Sequence, residues 1–448
     1  MNTKRSIHCR WTLLAIAVLL VLGGCGNGSG GTAPTGEPSQ PSSASPSQAG
    51  TETPVPPEIS PAPSDPASPS PTPSPSSSPT GIDDPIADQV KRLTLSEKIG
   101  QMLIAGIDGK TLDAEGRSMI ADSHVGGIIL YSRNVGTLKS TVSLINSLKK
   151  ANRDYSIPLF MSVDQEGGKV SRLPDSYEDI PANEVVGAAK EDRLAGEMGR
   201  LLARELLSAG FNLDFAPVLD VNSNPDNPVI GSRSFGSSPT LVAYFGTAEL
   251  KGLREGGVIP VAKHFPGHGD TSVDSHLDLP VVDKTAEELA KLEWIPFEKA
   301  IENGVEAIMV AHILYPKLDP DKPASLSGEL VGHWLRDKMG YDGVVMTDDL
   351  TMGAIAKNYT LKEAAVEAVE AGCDVLLVAH GYDKMKTVRD SLLQAVESGK
   401  LDESRIDESV YRILRLKSEY ALKDEDTAVP DLAELNSDIK AWRSSLQG

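Results

Sequence analysis

Eight short apolar runs rich in β-branched residues recur between residues 101 and 379, and helical spacing follows each of them. They occupy 101–106, 125–131, 158–163, 212–218, 258–263, 307–313, 343–347 and 375–379. Near-continuous apolar runs fit strands that are covered on both faces, which is the environment of a parallel sheet. The stretches 286–303 and 361–371 have helix-forming composition, with apolar residues at i, i+3, i+4 spacing. Eight such units predict an α/β fold, a single (β/α)8 barrel of the TIM type with long loops. A doubly wound open sheet is the alternative.

In such barrels the chemistry sits at the C-terminal ends of the strands. Polar residues gather at those ends here. The third run leads into Asp164 and Glu166, and the fourth ends near Asp220 with Arg233 in the loop beyond. Lys263 and His264 end the fifth, His312 the sixth, Asp348 and Asp349 the seventh, and His380 the eighth. A ring of acids, cations and imidazoles suits a ligand rich in hydroxyl groups. The net charge of −20 argues against a general nucleic-acid binder, because neutralising phosphates takes a basic surface. With only Cys9, Cys25 and Cys373, no disulfide framework can hold the fold, and burial must stabilise it.

The N-terminus reads as an address. Lys4, Arg5 and Arg10 precede an apolar run, 11–22, that ends in Gly23-Gly24-Cys25. The run is short for a membrane span, and a cysteine directly after two glycines resembles a bacterial lipobox. The resemblance implies cleavage before Cys25, lipidation of its thiol and anchoring to the outer side of the cell membrane. Each acyl chain then contributes about 0.8 kcal/mol per buried CH₂. An ordinary signal peptide or an uncleaved anchor is the alternative.

Residues 26–81 hold fifteen of the chain's 31 prolines among Ser, Thr, Gly and Ala. Such a segment cannot bury enough surface to offset its ordering entropy, so disorder with polyproline character is expected. At about 3.1 Å per residue it reaches on the order of 170 Å, enough for a tether into the cell wall. The expected organisation is an address at 1–25, a linker at 26–81, a catalytic barrel at 82–422 and a tail at 423–448. The tail is either one amphipathic helix or solvated.

The densest signal is the segment 263–276, which packs His264, His268 and His276 into thirteen positions. His264 and His268 would share a helical face as zinc ligands, but Pro266, Gly267 and Gly269 make a helix implausible, and no metal is expected. A phosphate-cradling loop lacks both glycine fingerprints. A purely structural turn is a further alternative. Asp274 and His276, two apart in a loop, suit a different task. A carboxylate bonded to one ring nitrogen orients the imidazole and stabilises its cation, leaving the other nitrogen to exchange a proton. Asp348, at the end of the seventh run, is a candidate nucleophile. Double displacement at a glycosidic carbon needs these two parts, a carboxylate and a proton donor that later turns base.

The loop KHFPGHGDTSVDSHLDLP at 263–280 closely resembles the signature of the β-N-acetylglucosaminidase branch of glycoside hydrolase family 3. LTLSEKIGQM, DQEGGKVSR, FAPVLDV, GSRSFG and VVMTDDL match in order as well. The resemblance implies that Asp348 forms a covalent glycosyl-enzyme intermediate, that His276 is the acid/base, and that Asp274 pairs with it. It implies that Asp164, Arg172, Arg233, Lys263 and His264 hold the sugar, and that no cofactor is needed. Because neighbouring side chains on a strand point to opposite faces, only one of Asp348 and Asp349 is expected to face the pocket, and it is taken to be Asp348. Glu166 and Asp220 are equally compatible with direct contact and with local support. Larger family members append an αβα domain whose glutamate serves as acid. Residues 423–448 are too few for one, which favours His276.

The expected activity is exo-hydrolysis of terminal β-linked N-acetylglucosamine from peptidoglycan fragments, with retention, by a monomer. Phosphorolysis is a second enzymatic reading, since an imidazole does not repel an incoming phosphate. A non-catalytic sugar-binding lipoprotein is the third, although it requires no such loop opposite a strand-end aspartate.

Overall fold

A computed structural model describes residues 84–446, so the address with Cys25 and the whole proline-rich segment lie outside the described residues. Eight parallel strands close into a barrel: β1 (Leu103–Gly106), β2 (Gly127–Ile129), β3 (Phe160–Val163), β4 (Leu213–Asp214), β5 (Ile259–Phe265), β6 (Ala307–Val310), β7 (Val344–Asp349) and β8 (Val375–Val378). The pairing Leu103↔Leu376 joins β8 to β1, which rules out the open sheet. Every residue of these eight barrel strands but Asp348 is buried, as expected where side chains fill the interior and helices cover the outside.

Each apolar run holds one strand; six strands are shorter than their runs, while β5 and β7 continue past the ends of theirs. Gln101 closes a helix, Leu95–Gln101, rather than opening β1. Regular pairing in β4 stops after two residues, where the Gln165 N–H donates to the Asp214 side chain instead of continuing the ladder. The fourth segment still pairs with β5, where the Val261 N–H donates to Ala216 O and the Lys263 N–H to Pro217 O. The stretch 286–303 forms two helices, Ala286–Ala290 and Trp294–Glu302. Pro296 cannot donate within a continuous helix, and it lies in the first turn of the second one, where no donor is needed.

The end of the barrel opposite the strand C-termini is sealed by Lys417, from the helix Glu403–Glu419. Its ammonium donates to Gln101 Oε1 (2.8 Å), Gly126 O (2.8 Å) and Pro158 O (2.7 Å), and it lies 4.6 Å from the centre of the Phe160 ring. The tail contains a helix, Ala433–Ser445, with Ile439 and Trp442 buried. The Trp442 indole donates to Leu194 O (3.1 Å) on the helix Asp192–Ala209, so the tail packs on the barrel.

Candidate active site

A cavity of about 640 Å³ opens at the C-terminal ends of the strands. Asp164, Arg172, Arg233 and His264 line it on one side, and Asp274, His276 and Asp348 on the other. Residues up to 184 positions apart in sequence thus meet in one place. Lys263 is the exception among the eight. It is 1% exposed and lies beneath the wall, so it does not itself line the cavity.

The floor is a buried charge network. Lys263 Nζ donates to Asp164 Oδ1 (2.6 Å) and approaches Glu166 Oε1 (2.7 Å). Arg233 grips the same Glu166 with two parallel bonds, Nε to Oε2 (2.8 Å) and Nη2 to Oε1 (2.7 Å). Burial alone would raise the Glu166 carboxyl, but Arg233 and Lys263 outweigh it and hold it well below the usual carboxylate range. Burial likewise opposes the Lys263 ammonium, and Asp164 and Glu166 reverse the effect, leaving it above its ordinary value. Glu166 therefore supports the floor from within.

Asp220 plays the corresponding part for His264. Its carboxylate meets His264 Nδ1 (2.6 Å) and accepts from the backbone N–H of His264 (3.3 Å) and of His268 (2.6 Å). The other ring nitrogen, Nε2, lies 3.4 Å from Arg233 Nη2. Burial pushes the Asp220 carboxyl up, and His264 and His268 bring it below its ordinary value.

Gln165 ties down the loop after β3. Its N–H donates to Asp214 Oδ1 (2.9 Å), its Oε1 accepts from the Arg172 N–H (2.7 Å), and its Nε2 reaches Glu205 Oε2 (3.3 Å). Behind it, Asp214 Oδ2 and both Glu249 oxygens have no hydrogen-bond partner among the described residues. Burial pushes both carboxyls well above their ordinary values and Glu205 up to about 8. Burial thus disfavours negative charge on these groups behind Glu166.

The loop carrying the dyad is built differently. Asp274 Oδ1 meets His276 Nδ1 (3.0 Å) and accepts the His276 backbone N–H (2.9 Å). The His276 side chain is 67% exposed. The base of the loop is clamped by His268, whose Nδ1 meets Thr271 Oγ1 (2.8 Å) and whose Nε2 meets Ser275 Oγ (3.1 Å). Burial and the neighbouring His264 push His268 down to about 4, so it clamps the loop as a neutral ring. Across the cavity, the N–H groups of Gly353 and Ala354 donate to His276 O (3.2 Å) and Ser275 O (3.1 Å). A Cβ on Gly353 would lie 2.6 Å from His276 O, so only glycine lets the loop dock beside the segment that follows β7.

The expectation that only one of the two adjacent aspartates faces the cavity does not hold, because both Asp348 and Asp349 line it. Both lie within β7, but its pairing with β8 slips between Met346↔Val375 and Asp349↔Leu377, three residues against two, so strict alternation is broken there. What separates them is the use of their oxygens. Asp349 accepts from the Thr351 N–H, the Thr351 hydroxyl and the Ala379 N–H. Asp348 accepts only the Asp349 N–H (2.8 Å) among the described residues, so it keeps open lone pairs. Burial raises the Asp348 carboxyl, but His312, His264 and that N–H outweigh it, leaving the group below its ordinary value. His312 is fully buried and bonded to Ser325 Oγ (2.6 Å) and Asp349 O (3.1 Å), so it braces the end of β7 rather than facing the cavity.

A closed parallel barrel with a carboxylate, an imidazole dyad and a cationic floor at its strand C-termini has the architecture of a barrel hydrolase for polar substrates. Comparison with known proteins makes the class specific. The family described as Glycosyl hydrolase family 3 N terminal domain matches residues 94–416. A protein named Beta-hexosaminidase A from Pseudoalteromonas piscicida is 36% identical over 332 residues, covering 69% of this chain and 56% of that protein. A Beta-hexosaminidase from Alkalilimnicola ehrlichii is 37% identical over 292 residues, covering 64% of this chain and 82% of that protein. The solved structure of a glycoside hydrolase family 3 beta-N-acetylglucosaminidase from Paenibacillus sp. str. FPU-7 superimposes with a TM-score of 0.74 at 44% identity, covering 79% of this chain and 69% of that one. The chain belongs to glycosyl hydrolase family 3 and is a glycoside hydrolase.

Sequence reasoning missed three supporting residues. His268 was visible only as a possible metal ligand, and its role as a clamp depends on Thr271 and Ser275 folding back onto it. Gln165 sat inside a recognised motif with no chemistry of its own. Gly353 carried no signal, because its value lies in what approaches it.

Proposed function

We propose that the chain is a retaining exo-β-N-acetylglucosaminidase that removes terminal, non-reducing N-acetylglucosamine from peptidoglycan fragments. The observation that carries this reading is the shared cavity of Asp348, with open carboxylate oxygens, and the Asp274–His276 pair. The β-hexosaminidase and β-N-acetylglucosaminidase relatives support it.

In the first step an Asp348 oxygen bonds to the anomeric carbon as the bond to the aglycone oxygen breaks. The protonated His276 ring gives its proton to that departing oxygen, and Asp274 stabilises the ring while it is charged. In the second step His276 takes a proton from water, whose oxygen attacks the anomeric carbon and frees Asp348. Two inversions give net retention. Asp164, Arg172 and His264 present donors and acceptors to the sugar hydroxyls, and Glu166, Arg233 and Lys263 hold that surface in place. The lipobox-like Cys25 and the proline-rich composition of 26–81 support a location outside the membrane, tethered to it, where wall fragments are at hand.

Product analysis tests the proposal. Incubation with a chromogenic N-acetyl-β-glucosaminide should release β-anomeric N-acetylglucosamine, with or without phosphate, and a fluorinated mechanism-based sugar should label Asp348. Asp348→Ala should lower turnover by roughly 10⁴-fold or more. Sugar-1-phosphate as the main product would favour phosphorolysis, and release of the α-anomer would overturn the double displacement.

A further inference from the structure

The family match ends at residue 416, and the helix Ala433–Ser445 lies beyond it. Leu435, Ile439 and Trp442 recur on this helix at four- and three-residue spacing and are buried, so one stripe of it is used for docking. The Trp442 indole donates to Leu194 O (3.1 Å), and Arg204 Nη1 donates to Asp438 Oδ2 (2.7 Å). Both contacts tie the tail to the helix Asp192–Ala209. A terminal helix fixed in this way is a platform for whatever meets its next face.

Asn436, Lys440 and Arg443 repeat the same spacing on the flank of that stripe, and all of them reach the loop after β3. Asn436 Oδ1 accepts from the Glu178 N–H (3.0 Å), and its Nδ2 donates to Ser176 O (2.9 Å). Arg443 donates to Asp179 O (3.1 Å) and to Glu178 Oε1 (2.5 Å), while Lys440 Nζ lies 3.1 Å from Glu178 Oε2. The Lys440 side chain is 62% exposed, so its ion pair adds little, and the hold lies in the contacts to main-chain groups. The loop needs those partners. From Leu173 to Asp179 its main chain bonds to itself only once, through the Tyr177 N–H and Pro174 O (3.0 Å). Arg172, four residues before Ser176, lines the cavity. Its N–H is fixed by Gln165 (2.7 Å), but among the described residues its guanidinium reaches only Ser171 O (3.5 Å). Where that guanidinium stands is therefore set by the path of the chain on either side, and the tail helix fixes the far side.

We propose that the C-terminal helix is a positioning element of the active site: through Asn436 and Arg443 it holds residues 176–179 so that Arg172 presents its guanidinium to the sugar. The inference rests on the glycosidase reading, in which Arg172 binds the sugar directly and the tail touches no reacting group. A contact made equally with the bound sugar and with the transition state lowers KM without raising kcat. Loss of the hold should therefore appear in KM.

The test is a cycle of variants of the full chain, read with a chromogenic N-acetyl-β-glucosaminide. Asn436→Ala combined with Arg443→Ala should raise KM about fivefold or more and leave kcat within about twofold, with Asn436→Ala alone giving a smaller rise. In an Arg172→Ala background the same pair should change KM by less than about twofold, because the group it positions is gone. Affinity for N-acetylglucosamine, measured by calorimetry, closes the same cycle independently of turnover. A lower thermal midpoint with KM and affinity unmoved would make the helix a stabilising cover and overturn the proposal. An equal rise in both backgrounds overturns it too, since the tail would then act on some other group. Failure of the wild type to release the sugar overturns the glycosidase reading itself, and the positioning role falls with it.

Discussion

Two lysines are buried at opposite ends of the barrel, and their surroundings differ. Lys263, at the C-terminal end of β5, meets the carboxylates of Asp164 and Glu166. Lys417, at the other end, meets one amide oxygen and two backbone carbonyls. Ion pairs overcome burial at the first site and keep Lys263 firmly cationic. Neutral acceptors do not, and burial pushes Lys417 down to about 7. The open end keeps fixed charges beneath a surface that must recognise a polar ligand. The sealed end uses its lysine as a brace across β1, β2 and β3, its three N–H groups shared among three neutral acceptors.

The contrast makes distinct demands on each variant. Lys263→Met should cost most, because it leaves Asp164 and Glu166 without their shared cation. Stability should fall by about 3–5 kcal/mol, and kcat/KM in the surviving fold by roughly 10²-fold or more. Loss of stability with unchanged kcat/KM would erase the distinction between the two ends. Lys417→Met should cost about 1–3 kcal/mol through orphaned acceptors, read as a lower denaturant midpoint, with kcat/KM unchanged. His276→Ala sharpens the comparison from the other side. As an exposed group it should leave the midpoint in place while slowing turnover by about 10²–10⁴-fold, less so for an activated phenol leaving group. Equal losses for both leaving groups would count against its acid role.

The smallest effect is a pH slope. Glu205 is raised from an ordinary 4.5 to about 8 by burial, so between those values the folded state holds a proton that the unfolded chain has lost. Stability from this group is intact below the lower value and is lost as pH rises towards the upper one. Between pH 6 and 7 the wild type should lose up to about 1.4 kcal/mol relative to Glu205→Gln, measured by denaturation at each pH. Parallel pH profiles for the two proteins would show that Glu205 is ionised in the fold.

Much of the architecture was legible because periodicity is local. A parallel strand covered on both faces writes an apolar run of a few residues, and all eight runs hold a barrel strand. The rule that function gathers at strand C-termini then pointed to Asp164, His264 and Asp348 without any knowledge of their contacts. Boundaries were less legible. The shortness of β4 is decided in the fold, where the Gln165 N–H turns to the Asp214 side chain and leaves the ladder. The break in 286–303 follows from Pro296, which was readable but hidden by strong helix formers around it.

The chain's own letters therefore determined the barrel, its reactive rim and the Asp274–His276 loop, since spacing along a strand or within a short loop fixes which side chains can share a face. Tertiary structure alone decided how those groups are supported. It placed Lys263 beneath the wall, gave Asp349 three donors while leaving Asp348 open, and set Gly353 under a loop that begins more than seventy residues earlier. Such pairings depend on where the closed barrel brings distant loops together, and local sequence carries no record of that distance.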